Sequence, residues 1–156
     1  MSEEIQVMQA TEADLPAIEG LLRELIDATG SRQALDVRAT AENLPVLLHG
    51  PHSHVLVARH GDTAVGFIHA TVRQTALHTE RSGLIDEVVV ARSHRGRGIG
   101  RLLVSAAADR CRELGCCELE VSTEKANTAA REFYAELGFE EEAVLLEMDL
   151  RTEDAT

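Results

Sequence analysis

The segment Arg95-Gly96-Arg97-Gly98-Ile99-Gly100 has the residue types and spacing best suited to chemistry in this chain. Three closely spaced glycines allow positive φ and let a backbone approach a ligand closely. The β-prone run Leu84 to Ala91 comes before it, and a helix is predicted from Ile99 to Leu114, closed by Gly115. The first turn of such a helix has N–H groups without intrahelical partners and the positive end of the helix dipole. The predicted site therefore suits an anion, most naturally a pyrophosphate. Arg95, Arg97 and Arg101 add charge-assisted donors. A P-loop needs four residues between its glycines and then Lys-Ser or Lys-Thr, whereas here Ile99-Gly100-Arg101-Leu102 follows. A dinucleotide-binding loop needs G-x-G-x-x-G, and the spacing here is G-x-G-x-G.

Arg95-x-x-Gly98-x-Gly100 resembles the Arg/Gln-x-x-Gly-x-Gly/Ala signature of the GNAT superfamily of N-acetyltransferases. Val88 and Val90 before it and Leu102-Leu103 after it fit the same context. Downstream, Asn127-x-x-Ala130-x-x-Phe133-Tyr134 and then Leu137-Gly138-Phe139 look like that family's next helix. The resemblance covers Leu84 to Phe139. One departure is Arg92, where many members have Pro. The resemblance implies acetyl-CoA as co-substrate. Backbone groups of Val88, Val89 and Val90 would hold its pantetheine arm like an added strand. Those of Gly96, Arg97, Gly98, Ile99, Gly100 and Arg101 would hold its pyrophosphate. Asn127 would contact the arm, and Tyr134 would sit by the sulfur and protonate the departing thiolate.

Acyl transfer to an amine needs a neutral amine, a stabilised oxyanion and a thiolate that can leave. A Lys-like amine titrates near ~10.4 and is mostly protonated at neutral pH. A nearby carboxylate can hold the ammonium and take its proton, often through water. Glu87 and Asp86, in the otherwise apolar run before the loop, are the candidates, with Glu87 preferred. On a regular strand they point to opposite faces, so only one faces an acceptor unless a bulge alters the parity. Tyr134 is the only tyrosine. No side chain sits in a nucleophile–base dyad, so direct attack in a ternary complex is expected rather than an acyl-enzyme. The acceptor is a primary amine on a small molecule or peptide, and His78 and Glu80 are candidates to line its site. The alternative reading is a CoA-binding regulatory module with little or no turnover.

The elements around these residues can be read from periodicity. Ile5 to Met8 is a predicted strand, and Thr11 caps a helix carrying Leu15, Ile18, Leu22, Leu25 and Ile26 at helical spacing up to Gly30. A second helix is predicted over Thr40 to Leu48, with Pro45 as a kink or early stop. Val55 to Ala58 and Ala64 to Val72 flank Gly61-Asp62 as an antiparallel hairpin. After the loop and its helix come a strand over Glu118 to Ser122 and a helix over Asn127 to Leu137 closed by Gly138. Strands are predicted over Phe139 to Glu142 and Ala143 to Leu150, with a polar tail from Arg151. The expected fold class is α+β: a GNAT-like central mixed, mostly antiparallel sheet flanked by helices in three α-β-α layers, as one domain over residues 1–156.

Bulk properties narrow the functional classes. The formal net charge is −12, from 15 basic and 27 acidic residues, which argues against a nucleic-acid binder and weakly favours a cationic ligand. Cys111, Cys116 and Cys117 have neither the count nor the spacing of a disulfide framework, and buried thiols are expected. His49, His52, His54 and His60 surround Gly50-Pro51 without a metal-ligand pattern, so no metal is expected. No apolar run approaches the ~20 residues of a membrane span, and the start Met1-Ser2-Glu3-Glu4 is polar. A cytoplasmic protein is expected. The apolar Ala143–Leu150 strand, placed at a sheet edge, invites pairing with a second copy as a homodimer.

Overall fold

Two amphipathic helices and a β-hairpin precede the glycine loop, and their periodicities decide which faces can pack. The computed structural model describes residues 4–29 and 37–151. They fall into two units, one through Val121 and one from Ser122. In the first, β1 (Ile5–Gln9), α1 (Leu15–Thr29), α2 (Val37–His49), β2 (Ser53–His60), β3 (Thr63–Gln74), β4 (Arg81–Val90), α3 (Ile99–Glu113) and β5 (Cys116–Val121) follow in order. The strands form one sheet in the order β1-β2-β3-β4-β5. Neighbours are antiparallel except β4 and β5, which run parallel. α3 supplies the crossover that a parallel pair requires.

Side-chain alternation along β3 divides the core into two layers. Phe67 faces Ile18 and Leu21 of α1 and Leu44 of α2, together with Val55, Val57 and Val89. Gly66 faces the other way, where a Cβ would meet Leu103 Cδ1 at 3.2 Å and Ile99 Cγ2 at 3.5 Å, both on α3. Helices thus cover both faces, giving the expected α-β-α layering. Thr11 opens α1 through a short 3₁₀ turn over Glu12–Asp14. Its N–H donates to Asp14 Oδ2 at 2.8 Å, and buried Asp14 also pairs with Arg59 of β2. Gly30, expected to close α1, lies outside the described residues. α2 starts before Thr40 and continues through Pro45 to His49.

The second unit contains α4 (Thr128–Glu136), capped by Asn127, whose Oδ1 accepts from the Ala130 N–H at 3.1 Å. The predicted strands at Phe139–Glu142 and Ala143–Leu150 are not formed; the chain there has no regular structure. A strand exists through ladder bonds to a neighbour. α4 is the only regular element among the described residues of this unit, so β-prone composition finds no partner within it. Of the cysteines, Cys111 is buried, and burial beside Cys116 pushes its thiol up to about 11; Cys117 is exposed, contrary to expectation.

Candidate active site

The parallel ladder between β4 and β5 runs from Arg81↔Cys116 to Ile85↔Val121, where β5 ends. From Asp86 to Val90 that edge of β4 has no strand beside it among the described residues of the first unit. On its other side β4 stays paired with β3, and the ladder shows which groups face the open edge. The Ala91 N–H donates to Val65 O at 2.7 Å, so it points toward β3. Antiparallel bonding alternates by residue. Val89, opposite Phe67, therefore also faces β3, while Val88 and Val90 direct their backbone N–H and C=O to the open edge. Consistently, Val90 O accepts from Arg95 Nε at 3.2 Å. That contact folds Arg95 back onto the end of the strand.

The register of β3 and β4 shifts where the ladder separates. His69 pairs with Glu87 and Ala70 with Ile85, which leaves Asp86 as an extra residue, a β-bulge. The bulge cancels the alternation that would send the two carboxylates to opposite faces. Thr71 Oγ1 donates to Asp86 Oδ2 at 3.0 Å, and His69 Nδ1 lies 2.8 Å from Glu87 Oε2. Thr71 and His69 are two residues apart on β3, so both carboxylates reach one face, that of α1 and α2. Asp86 Oδ2 is 3.7 Å from His69 Nδ1. Burial, followed by the Glu87 charge, raises the Asp86 carboxyl above its ordinary range, against the Thr71 bond and the His69 interaction.

His69 is buried, and its other nitrogen, Nε2, lies 2.8 Å from Ser53 Oγ on β2. It borders a small apolar cleft beneath the helices, with Leu15, Ile18, Leu44, Leu48 and Phe67. Neither His69 nor Ser53 was singled out from the sequence. The available signal was one imidazole two residues after Phe67, within the otherwise apolar stretch from Ala64 to Ala70. His78 and Glu80, candidates for the acceptor site, precede Arg81 at the far end of β4. At ~3.3 Å per residue, Glu87 is about 20 Å along the strand from Arg81.

Beyond β4 the chain turns through Gly96 and Gly98, at φ +76° and +78°, into α3. Gly98 is the residue before the first helical turn, and no side chain caps the N–H groups that follow. A Cβ at either glycine would meet no heavy atom within 4 Å, so packing does not demand glycine at either; the backbone conformation does. A bare helix N-terminus after a loop of positive-φ glycines, next to an open strand edge, suits an elongated ligand ending in phosphates. In the second unit, Tyr134 packs edge-on between Phe133 and Phe139, with ring centroids 5.0 and 5.4 Å away. Burial raises its hydroxyl above the ordinary phenol range. Among the described residues no three His, Cys, Asp or Glu side chains converge to hold a metal. No helix there is long and apolar enough to cross a membrane.

Residues 18–139 match the acetyltransferase (GNAT) family. The chain is 28% identical over 138 residues to the uncharacterized N-acetyltransferase YhfO of Bacillus subtilis, covering 88% of this chain and 91% of that one. It is 27% identical over 136 residues to the aminoalkylphosphonate N-acetyltransferase of Salmonella typhimurium, covering 87% and 85%. Its fold superposes with a TM-score of 0.84 on the aminoglycoside N-acetyltransferase AAC(6')-Iy in complex with CoA, at 21% identity and 97% coverage of each chain.

Proposed function

The chain belongs to the acetyltransferase (GNAT) family, and from that premise we propose that it transfers the acetyl group of acetyl-CoA to a primary amine in a ternary complex. The observation that carries the reading is the bulge at Asp86. It turns Asp86 and Glu87 to the face of α1 and α2 at the point where β4 leaves β5 and runs open toward the glycine loop. Acetyl-CoA supplies the acetyl group as a thioester, whose carbonyl carbon accepts the amine's lone pair as the C–S bond breaks. Val88 and Val90 hold the pantetheine arm through their outward backbone groups, Val89 backs them from the β3 side, and Gly96 to Arg101 hold the pyrophosphate. Glu87 holds the acceptor ammonium and takes its proton; Asp86 beside it adds negative charge and favours a cationic acceptor. Asn127 contacts the arm and Tyr134 returns a proton to the thiolate, as the sequence motif implies.

The aminoalkylphosphonate relative supports an acceptor that is a small molecule with a primary amine. The family match crosses from the first unit into the second, which supports reading residues 1–156 as one catalytic domain. We place the protein in the cytoplasm and propose a homodimer built partly on Ala143–Leu150; a monomer mass by light scattering at micromolar concentration refutes the dimer. The central test is the pH dependence of thiol release from acetyl-CoA with an amine. In Glu87→Gln the amine must lose its proton to solvent, so the rise of rate with pH moves upward and high pH partly rescues the variant. An unchanged profile in Glu87→Gln, with a shifted one in Asp86→Asn, transfers the role to Asp86. Absence of thiol release with every amine supports the regulatory alternative.

A further inference from the structure

We infer that His69 is a positioning residue for Glu87: its Nδ1–H holds one carboxylate oxygen so that the other faces the acceptor, and Ser53 anchors the ring from the far side. The inference rests on the proposed role of Glu87. His69 is 5% exposed, and a buried imidazole needs partners for both nitrogens. It has them: Glu87 Oε2 at 2.8 Å from Nδ1 and Ser53 Oγ at 2.8 Å from Nε2. An ionised carboxylate only accepts, so Nδ1 carries the hydrogen and donates to Glu87. In the neutral ring Nε2 then accepts, and the rotatable Ser53 hydroxyl donates to it. Packing does not require this arrangement. A Leu at position 69 would extend the apolar face that Phe67 presents and would carry no polar group of its own. What the imidazole contributes is its N–H toward Glu87.

That N–H has two effects. It favours the ionised carboxylate, and it fixes Oε2 toward the ring, which leaves Oε1 for an ammonium. The other tautomer would set the Nδ1 lone pair against the carboxylate, so Glu87 disfavours it, while the Ser53 hydroxyl can pair with Nε2 in either tautomer. Of the other titratable groups, Asp86 approaches His69 from β4 at 3.7 Å, and His54 of β2 interacts with it electrostatically. From α1 and α2 come Leu15, Ile18, Leu44 and Leu48, none of which can donate a hydrogen bond. Among the described residues, His69 therefore provides the only side-chain hydrogen bond to Glu87 that the geometry reveals.

The test is carboxyl ¹³C NMR titration of Glu87, its resonance identified by loss in Glu87→Gln, together with ¹⁵N NMR of His69 in the wild-type chain. In His69→Phe, which removes the donor to Oε2, the Glu87 titration should move to higher pH, because the ionised carboxylate loses a hydrogen bond. The acid limb of kcat/KM should move with it. Ser53→Ala should shift both in the same direction by less. His69→Asn, whose amide N–H replaces Nδ1–H, should restore the wild-type titration. The ¹⁵N spectrum should report a hydrogen on Nδ1, a readout that needs no variant to fold. A ring without a hydrogen on Nδ1 overturns the inference, as does a folded His69→Phe in which Glu87 titrates as in wild type. If Glu87 titration shifts but no amine is acetylated, the acetyl-transfer reading fails and this one stands. If amines are acetylated and the titration does not shift, this one fails alone.

Discussion

Replacing Gly98 with Ala separates the turn that the glycine makes from the ligand that its backbone meets. Gly98 sits at φ +78°, and a Cβ there meets no heavy atom within 4 Å. The substitution therefore costs the folded chain only left-handed strain, ~1–2 kcal/mol. For a chain of this size, that lowers Tm by roughly 2–8 °C. Gly115, at φ +80° with equally open surroundings at the other end of α3, is the matched control. Both variants should lose similar stability. On the proposed reading, only at Gly98 does the methyl project into space that a phosphate uses to approach the first N–H groups of α3. Loss of one charge-assisted hydrogen bond there, ~1.5–3 kcal/mol, weakens CoA binding roughly 10- to 100-fold. Calorimetry with CoA and thermal unfolding on the same preparations read the two effects. If Gly98→Ala binds CoA as tightly as Gly115→Ala does, the loop is a turn and not a phosphate site. Gly98→Val should abolish binding in a chain that still folds, because a β-branched side chain adds bulk at the same point.

Tyr134→Phe keeps the ring between Phe133 and Phe139 and removes only the hydroxyl, so turnover should fall by roughly 10²–10⁴ while acetyl-CoA affinity changes little. Turnover within about twofold of wild type, well below the range for general acid catalysis, returns Tyr134 to a packing role. Asp14→Ala removes a 3% exposed carboxylate that accepts from the Thr11 N–H and pairs with Arg59, leaving Arg59 without that charge. Urea unfolding should show a loss of ~3–5 kcal/mol, and a loss under about 1 kcal/mol would mean that water compensates Arg59.

The glycine loop, its helix and the hairpin were legible in the sequence because their signals are local: positive-φ glycines, a 3.6-residue period and a two-residue period. The mixed sheet with helices on both faces followed from the order of those elements. The bulge at Asp86 was not legible, because it exists only as a mismatch of register against β3. Alternation sends Asp86 and Glu87 to opposite faces unless a bulge intervenes, and the pairing of His69 with Glu87 and Ala70 with Ile85 supplies that bulge and puts them on one. His69 was missed for a related reason: Ser53 and Glu87 are 16 and 18 residues away and meet it only in the folded sheet. The strands predicted at Phe139–Glu142 and Ala143–Leu150 failed in the opposite way. Their residues suit a ladder, but a ladder needs a partner that composition cannot supply.

Acetyl transfer itself is tested most directly by incubating the chain with acetyl-CoA and a panel of primary amines that includes aminoalkylphosphonates and polyamines, then analysing the amines by mass spectrometry. An N-acetylated amine should form in step with free CoA thiol, and nearly disappear in Glu87→Gln at neutral pH. CoA binding by the folded chain with no acetylated amine from any member of the panel would contradict acetyl transfer.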